Sequence, residues 1–151
     1  MAVTTFTQEL FDCFYDDDVN KALFHGHTFT ANPTGCAAAL ASLELLQTRE
    51  MQDNITRINR QHLAFKKSME QHPRVKEIRV RGVILALEIR RTKNEEYYGD
   101  FRNRLYDFFI DRGVILRPVG NIIYILPPYI IPEKLLANIY ETVVLAIEKI
   151  M

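Results

Sequence analysis

The segment FHGHTFTANPTGCAAALASLELL, which spans Phe24 to Leu46, joins a loop of Gly, His and Thr residues to an alanine-rich helix. Asn32 is predicted to cap the N-terminus of this helix, and Pro33 suits its first position, where a missing N–H costs nothing. The alanines that follow favour helix and let another surface approach closely. The hydroxyls and backbone N–H groups of the loop can bind an anion such as a phosphate, or can simply cap turns.

Downstream of this segment, the apolar residues repeat first with a helical and then with a strand period. An apolar stripe at steps of three and four predicts a helix over residues 51–69, with His62 in a packing role on its buried face. Gly82 predicts a bulge or tight turn between two strands, and Gly113 predicts the end of a helix. The other predicted elements, including an earlier helix and a polar surface loop, are Thr4–Phe14, Val75–Arg81, Val83–Ile89, Lys93–Gly99, Phe101–Phe109, Val114–Arg117, Ile122–Leu126 and Pro132–Ile150.

The order of these elements predicts an α+β fold in which helices cover one face of a small, mainly antiparallel sheet. Residues 1–49 are predicted to be the edge of a larger body and to include the Gly/Thr loop. Residues 50–151 are predicted to form a self-contained αββαββα domain.

The composition narrows the class of protein. The chain has 151 residues, of which 48% are apolar and 25% charged, as in an ordinary globular protein. Lys+Arg and Asp+Glu balance at 19 each, so nothing favours a nucleic acid or a membrane surface as partner. No apolar run approaches the roughly 20 residues of a membrane-spanning helix, and the start does not resemble a signal peptide. Cys13 and Cys36 make neither a disulfide framework nor a metal set, so we expect reduced thiols and a cytoplasmic location.

Two residues of the C-terminal half are candidates for ligand binding. Arg117 ends a predicted strand and precedes Pro118, and its planar guanidinium suits the grip of a carboxylate through two hydrogen bonds. An ion pair with an acidic residue is an equally good explanation of this arginine. Tyr124 lies within the apolar run IIYILPPYII, where it is either a core residue or part of a pocket beside Arg117.

Other constellations are weaker. His25 and His27 lack a third ligand at metal spacing, and the acidic run Asp16–Asp18 is more typical of a solvated turn than of a cation site. No nucleophile–base–acid set can be assembled. None of the lysines lies in the apolar, Gly-rich setting that activates an amine; they are Lys21, Lys66, Lys67, Lys76, Lys93, Lys134 and Lys149.

Two stretches carry a resemblance to a known family. FHGHTFTANPTGCAAALASLELL and GVILRPVGNIIYILPPYIIP resemble the class III, fold-type I aminotransferases, which depend on pyridoxal 5′-phosphate. The second stretch is more narrowly similar to the branch that moves an amino group from S-adenosylmethionine to 8-amino-7-oxononanoate in biotin biosynthesis, giving 7,8-diaminononanoate. The resemblance spans nearly all of this chain but only the C-terminal third or so of a family member.

The resemblance implies a role for four residues. Thr28 would bind the cofactor phosphate and Gly26 the substrate, both in the neighbouring subunit of a homodimer. Arg117 would bind the carboxylate of the oxo-acid substrate, and Tyr124 would help to line the substrate pocket. Alternatives are another class III transaminase, acting on ornithine, acetylornithine or an ω-amino acid, or a non-catalytic binding or oligomerisation domain.

The chain also departs from the family pattern. The lysine to which the family attaches its cofactor would precede Met1, as would the aromatic residue that stacks on the cofactor and the aspartate that pairs with its pyridine nitrogen. Ala31 stands where a glycine is usual. We therefore expect this chain to be a C-terminal fragment that contains no catalytic lysine and does not turn over by itself.

Overall fold

The structure is a computed structural model that describes residues 2–90 and 100–150. It divides the chain into two compact units, an N-terminal unit of Met1–Thr48 and a C-terminal unit of Arg49–Met151. The N-terminal unit contains α1 (Gln8–Asp12), a 3₁₀ helix (Val19–Lys21) and α2 (Pro33–Gln47). The C-terminal unit contains α3 (Arg49–Met69), β1 (Val75–Arg81), β2 (Ile84–Ile89), α4 (Asp100–Ile110), β3 (Ile122–Ile125) and α5 (Glu133–Lys149). The polar loop predicted at Lys93–Gly99 lies outside the described residues.

In the N-terminal unit, the start of α2 is as predicted. Asn32 Oδ1 accepts a hydrogen bond from Gly35 N at 2.9 Å, and Pro33 is the first helical residue. By contrast, α1 is shorter than the predicted helix, because Thr7 is extended and caps it, its Oγ1 accepting from Leu10 N at 3.4 Å. The chain leaves the helix after Asp12 through turns that end on Phe11 O.

The helices of the N-terminal unit bury none of their residues. Large apolar side chains stay in solvent on both α2 and the segment before it: Phe6 is 61% exposed and Leu40 61%. The apolar surface of this unit is therefore unsatisfied within the unit itself.

The sheet of the C-terminal unit is antiparallel, with strand order β1-β2-β3. Arg81 and Ile84 pair across a two-residue turn in which Gly82 has φ +56°, so the predicted turn is confirmed. Leu85, Leu87 and Ile89 alternate onto one face and are at most 1% exposed.

Three helices supply much of the rest of the core. Their buried residues are Ile58, His62, Phe65 and Met69 of α3, Phe101, Leu105 and Phe109 of α4, and Leu136, Tyr140, Val143, Ala146 and Ile147 of α5. Because the opposite face of the sheet carries charged residues, the helices cover one face only, and the predicted α+β fold is confirmed. Gly113, at φ +70°, follows α4 and accompanies its end, as predicted.

One predicted strand is wrong. Residues 114–117 are not a strand, and the only pairing in this stretch is the bridge between Val119 and Ile122, so the described sheet has three strands instead of four. Pro118 holds φ near −65°, far from the φ of an antiparallel strand, so pairing that begins at Val119 does not continue to Arg117. Among the described residues, no helix is long and apolar enough to cross a membrane.

Candidate functional site

The Gly/Thr loop of the N-terminal unit is a run of tight turns that leads into α2. Thr30 N donates to His27 O at 2.9 Å, and Asn32 N donates to Phe29 O at 3.2 Å. Phe29 N also donates to His27 Nδ1 at 3.2 Å. These bonds set Asn32 in its capping position, and they leave Thr28 at the apex of the first turn.

Thr28 and Gly26 are both free of hydrogen bonds within the described residues. Within the part of the chain that the structure describes, Thr28 makes no hydrogen bond, and its side chain is exposed. A Cβ built on Gly26 meets nothing within 4 Å. A hydroxyl and a backbone N–H that have no internal partner are donors of the kind that binds a phosphate, so these residues fit the phosphate of pyridoxal 5′-phosphate chemically.

Ala31 ends the loop with φ +54°, the only described non-glycine residue with a positive φ. A side chain in the left-handed region costs about 1–2 kcal/mol relative to glycine. The position that the sequence analysis singled out as a usual glycine is therefore one at which the backbone favours glycine, and alanine holds it under strain.

Arg117 lies on the extended segment that leads into the hairpin of β3. The bridge at Val119 and Ile122 exchanges two hydrogen bonds, of 2.9 and 3.0 Å, across a turn in which Gly120 has φ +60°. Arg117 lies two residues before this bridge and Tyr124 two residues after it, so the two residues belong to opposite arms of the same turn. The side chain of Arg117 is exposed, and among the described residues it has neither an ion pair nor a hydrogen-bond acceptor.

Tyr124 belongs to the face of the sheet that the helices leave open. It pairs with Ala86, and its neighbours Ile123 and Ile125 are buried on the other face. Tyr124 is half-buried, and in the described residues its hydroxyl has no partner. The phenol and the guanidinium of Arg117 are thus two uncommitted polar groups on one hairpin.

Two other cations on the same sheet face are already paired. Lys76 Nζ lies 2.7 Å from Glu88 Oε1, and Arg79 lies 2.7 Å from Glu77 Oε2. The hydrogen bond from Lys76 lowers the pKa of Glu88 below its usual value. Unlike Lys76 and Arg79, Arg117 is therefore available to an anion.

His62 has the packing role that the sequence predicts. It is fully buried; Nε2–H donates to Val83 O at 2.9 Å, and Nδ1 accepts from the Tyr140 hydroxyl at 2.7 Å. Burial lowers the pKa of His62, and the hydrogen bond to the Val83 carbonyl opposes that shift. Burial also raises the pKa of the Tyr140 phenol. Periodicity identified the buried histidine, but it gave no sign that Tyr140 is its partner.

The metal alternatives find no support in the described residues, where no group of three or more His, Cys, Asp or Glu side chains could hold an ion. The acidic run is committed to local structure: Asp16 pairs with Lys21, and Asp18 Oδ1 accepts from Asn20 N at 3.0 Å. The hydrogen bond from Lys21 lowers the pKa of Asp16. Both cysteines are free thiols.

Comparison with known proteins identifies the family of this chain. Residues 1–147 match the family described as Aminotransferase class-III. The chain belongs to the class III aminotransferase family. The cofactor of this family is pyridoxal 5′-phosphate.

This class III aminotransferase chain is 36% identical over 143 residues to the adenosylmethionine-8-amino-7-oxononanoate aminotransferase of Synechococcus elongatus, covering 95% of the chain and 33% of that relative. Its fold matches the crystal structure of the enzyme of the same name from Methanocaldococcus jannaschii with a TM-score of 0.83 and 28% identity, over 95% of this chain and 34% of that one. A PMP-bound aminotransferase from Vibrio fluvialis matches with a TM-score of 0.75 and 25% identity, over 87% and 30% of the two chains. The chain therefore spans about a third of the length of the relatives it matches.

The lysines of the class III chain offer no buried amine in the described region. Lys66 is half-exposed and the others are exposed; they are Lys21, Lys67, Lys76, Lys134 and Lys149. Lys93 lies outside the described residues. One residue of the Arg117 hairpin was not predicted from the sequence: Asn121 follows Gly120 in the turn and is hydrogen-bonded to the central strand.

Proposed function

We propose that this chain is the C-terminal part of a pyridoxal-phosphate-dependent transaminase that moves an amino group from S-adenosylmethionine to 8-amino-7-oxononanoate, giving 7,8-diaminononanoate. The observation that carries the proposal is the uncommitted guanidinium of Arg117, which lies on the arm of the hairpin opposite Tyr124 in the RPVGNIIYILPPY run. The name of the Synechococcus relative supports the choice of substrates, since the alignment covers 95% of this chain.

Arg117 would bind the carboxylate of the oxo acid. A planar guanidinium can donate two parallel hydrogen bonds to a carboxylate, which fixes both the distance and the orientation of the bound chain. Tyr124 would contribute an aromatic wall and a hydroxyl to the same pocket. The two residues together would bind the carboxylate end of a long substrate, and its ketone would react at a distance from them.

The Gly/Thr loop would serve the cofactor. Thr28 would donate its hydroxyl to the phosphate, and Gly26 would leave space for the substrate. We propose that both act on the neighbouring subunit of a homodimer. When bound, pyridoxal 5′-phosphate supplies an electron sink for amino-group transfer. The residues of this chain would bind and orient, and would not perform the proton transfers.

We further propose that residues 1–49 are the edge of a large cofactor-binding domain and residues 50–151 a small C-terminal domain. The exposed apolar side chains of the N-terminal unit support this division, because they suit a larger neighbouring surface. Since none of the described lysines is buried, we expect the 151-residue chain alone to be inactive. The free thiols are consistent with a cytoplasmic location, which is part of the proposal.

The test is the steady-state kinetics of the longer protein that carries this chain. Arg117→Ala should raise the KM for 8-amino-7-oxononanoate by roughly 30- to 100-fold, since two charge-assisted hydrogen bonds are lost, while kcat changes much less. Arg117→Lys should recover part of this loss, because a lysine keeps the charge but not the fork. Arg81→Ala, at an exposed arginine of the β1–β2 turn, is the matched control and should leave the KM unchanged. An unchanged KM in Arg117→Ala would rule out the carboxylate-binding role.

The amino donor separates this proposal from other class III activities. The same protein should accept S-adenosylmethionine and should be slow with ornithine, acetylornithine or ω-amino acids. Faster turnover with one of those amines would assign the protein to another branch of the family and leave the proposed role of Arg117 to be judged by its own kinetics.

A further inference from the structure

Asn121 occupies an unusual place in the ladder between β2 and β3. Glu88 pairs with Ile122, and one residue further along the same register Ile89 lies opposite Asn121. Ile89 N donates to Asn121 O at 2.9 Å, as in an ordinary antiparallel pair. The return bond, however, is made by a side chain: Asn121 Nδ2 donates to Ile89 O at 2.7 Å.

The side-chain amide of Asn121 thus replaces the main-chain amide of the same residue as the donor to Ile89 O. Gly120 and Asn121 form the two-residue loop between Val119 and Ile122, and Gly120 has the positive φ that such loops require at their first position. Ile89 is buried and ends the central strand. The two hydrogen bonds therefore attach the loop to the last residue of the central strand.

The segment that carries Arg117 depends on this loop. Residues 114–117 are not part of the sheet, and the backbone pairing that precedes β3 is the single bridge at Val119. Leu116 and Pro118 are buried on either side of Arg117, so the segment is packed, but its hydrogen-bonded attachment to the sheet lies in the turn. A shift of this turn would move Arg117 relative to Tyr124.

We propose that Asn121 is a positioning residue for Arg117: by supplying the missing ladder donor, its side-chain amide sets where the guanidinium meets the carboxylate of the substrate. This inference rests on the proposed function of Arg117 and adds a residue to it. It requires a donor at Nδ2, so aspartate, which has the same shape and only acceptors near the Ile89 carbonyl, should fail as alanine does.

The first experiment uses the 151-residue chain itself. In ¹⁵N relaxation measurements, Asn121→Ala and Asn121→Asp should increase the fast mobility of the Val119 amide and of the Arg117 side-chain Nε–H, with no change in α3. Asn138→Ala, at an exposed asparagine of α5, is the matched control. Unchanged mobility at Arg117 in both Asn121 variants would overturn the inference.

The second experiment is a double-mutant cycle in the longer protein. Asn121→Ala should raise the KM for the oxo acid roughly three- to tenfold with little change in kcat, which corresponds to the loss of one hydrogen bond. In the Arg117→Ala background this effect should vanish, because there is no guanidinium left to position. A purely structural role would lower the stability equally in both backgrounds and leave no coupling in KM.

The outcomes separate the two proposals. If Arg117→Ala leaves the KM unchanged, the proposed function of Arg117 fails. If Arg117→Ala raises the KM and the cycle shows no coupling to Asn121, only the positioning inference fails.

Discussion

Replacing Tyr140 by phenylalanine should destabilise the C-terminal unit by about 1–3 kcal/mol, although it removes a single oxygen atom. The Tyr140 ring stacks on Phe65 with 4.4 Å between centroids, and phenylalanine keeps that contact. What is lost is the hydroxyl that donates to His62 Nδ1 at 2.7 Å. Because His62 is fully buried, the acceptor is left without water or any other donor, and the cost is that of an unsatisfied buried polar group.

The same pair makes the stability depend on pH. Burial lowers the pKa of His62 in the folded chain, so the unfolded chain, whose histidine titrates near 6.5, binds more protons just below that pH. The stability contributed by the neutral imidazole is therefore present above pH about 6.5 and is lost as the pH falls, with a slope of at most about 1.4 kcal/mol per pH unit. Glu88 and Asp16, whose pKa values are lowered, lose their contribution only in more acidic solution, as they approach protonation.

Urea unfolding of the 151-residue chain at pH 7.5 and pH 5.5 measures both effects. At pH 7.5, Tyr140→Phe should lower the urea midpoint by roughly 1 M, given an m-value of about 1–3 kcal/mol/M. His62→Leu should flatten the dependence on pH between the two conditions, whereas His25→Gln, at an exposed histidine, should retain it. A loss below about 0.5 kcal/mol in Tyr140→Phe, or an undiminished pH dependence in His62→Leu, would refute the reasoning.

Two further predictions concern the N-terminal unit and the cofactor. Ala31→Gly should relieve the strain at φ +54° and increase the hydrogen-exchange protection of the Gly35 and Cys36 amides roughly fivefold, corresponding to about 1 kcal/mol. The control Ala38→Gly, inside α2, should decrease the protection of the same amides. Lower protection in Ala31→Gly would contradict the strain argument. After incubation with pyridoxal 5′-phosphate and reduction with borohydride, mass spectrometry of the 151-residue chain should find no stoichiometric adduct on one lysine, because none of the described lysines is buried; one fully modified lysine would refute the expected inactivity of the chain.

The elements of the C-terminal unit could be predicted where a local pattern decides them. The stripe over residues 51–69 gave α3 and the burial of His62, since a helix places residues three and four apart on one face. The strand pairing at residues 114–117 could not be predicted in this way. Whether an extended segment pairs depends on the φ that Pro118 imposes within the hairpin, and the apolar pattern of Val114, Ile115 and Leu116 is the same for a paired and an unpaired strand.

The residue types of the candidate site could be predicted from the sequence, but the contacts that hold those residues in place could not. Arg117 and Tyr124 stand out from an apolar run, and the resemblance to a family assigned them roles that the structure leaves as proposals. Asn121 did not stand out, because asparagine after glycine in a turn is common. Its bond to the Ile89 carbonyl joins residues 32 apart in sequence, and no local signal reports such a partner.

α2 and α5 differ in how much of their apolar surface is buried within their own units, and this difference affects how firmly the Gly/Thr loop is held. α5 has one apolar face and buries most of it within the C-terminal unit. α2 is apolar around most of its circumference and buries nothing within its unit, and a helix of that kind is stable only when surfaces cover it on several sides. Because Asn32 links the turns of residues 27–32 directly to the first turn of α2, an unanchored α2 leaves Thr28 on an unanchored loop. We therefore expect that supplying a lysine alone would not give the 151-residue chain cofactor binding, since the proposed phosphate donors are held in place only when α2 is covered.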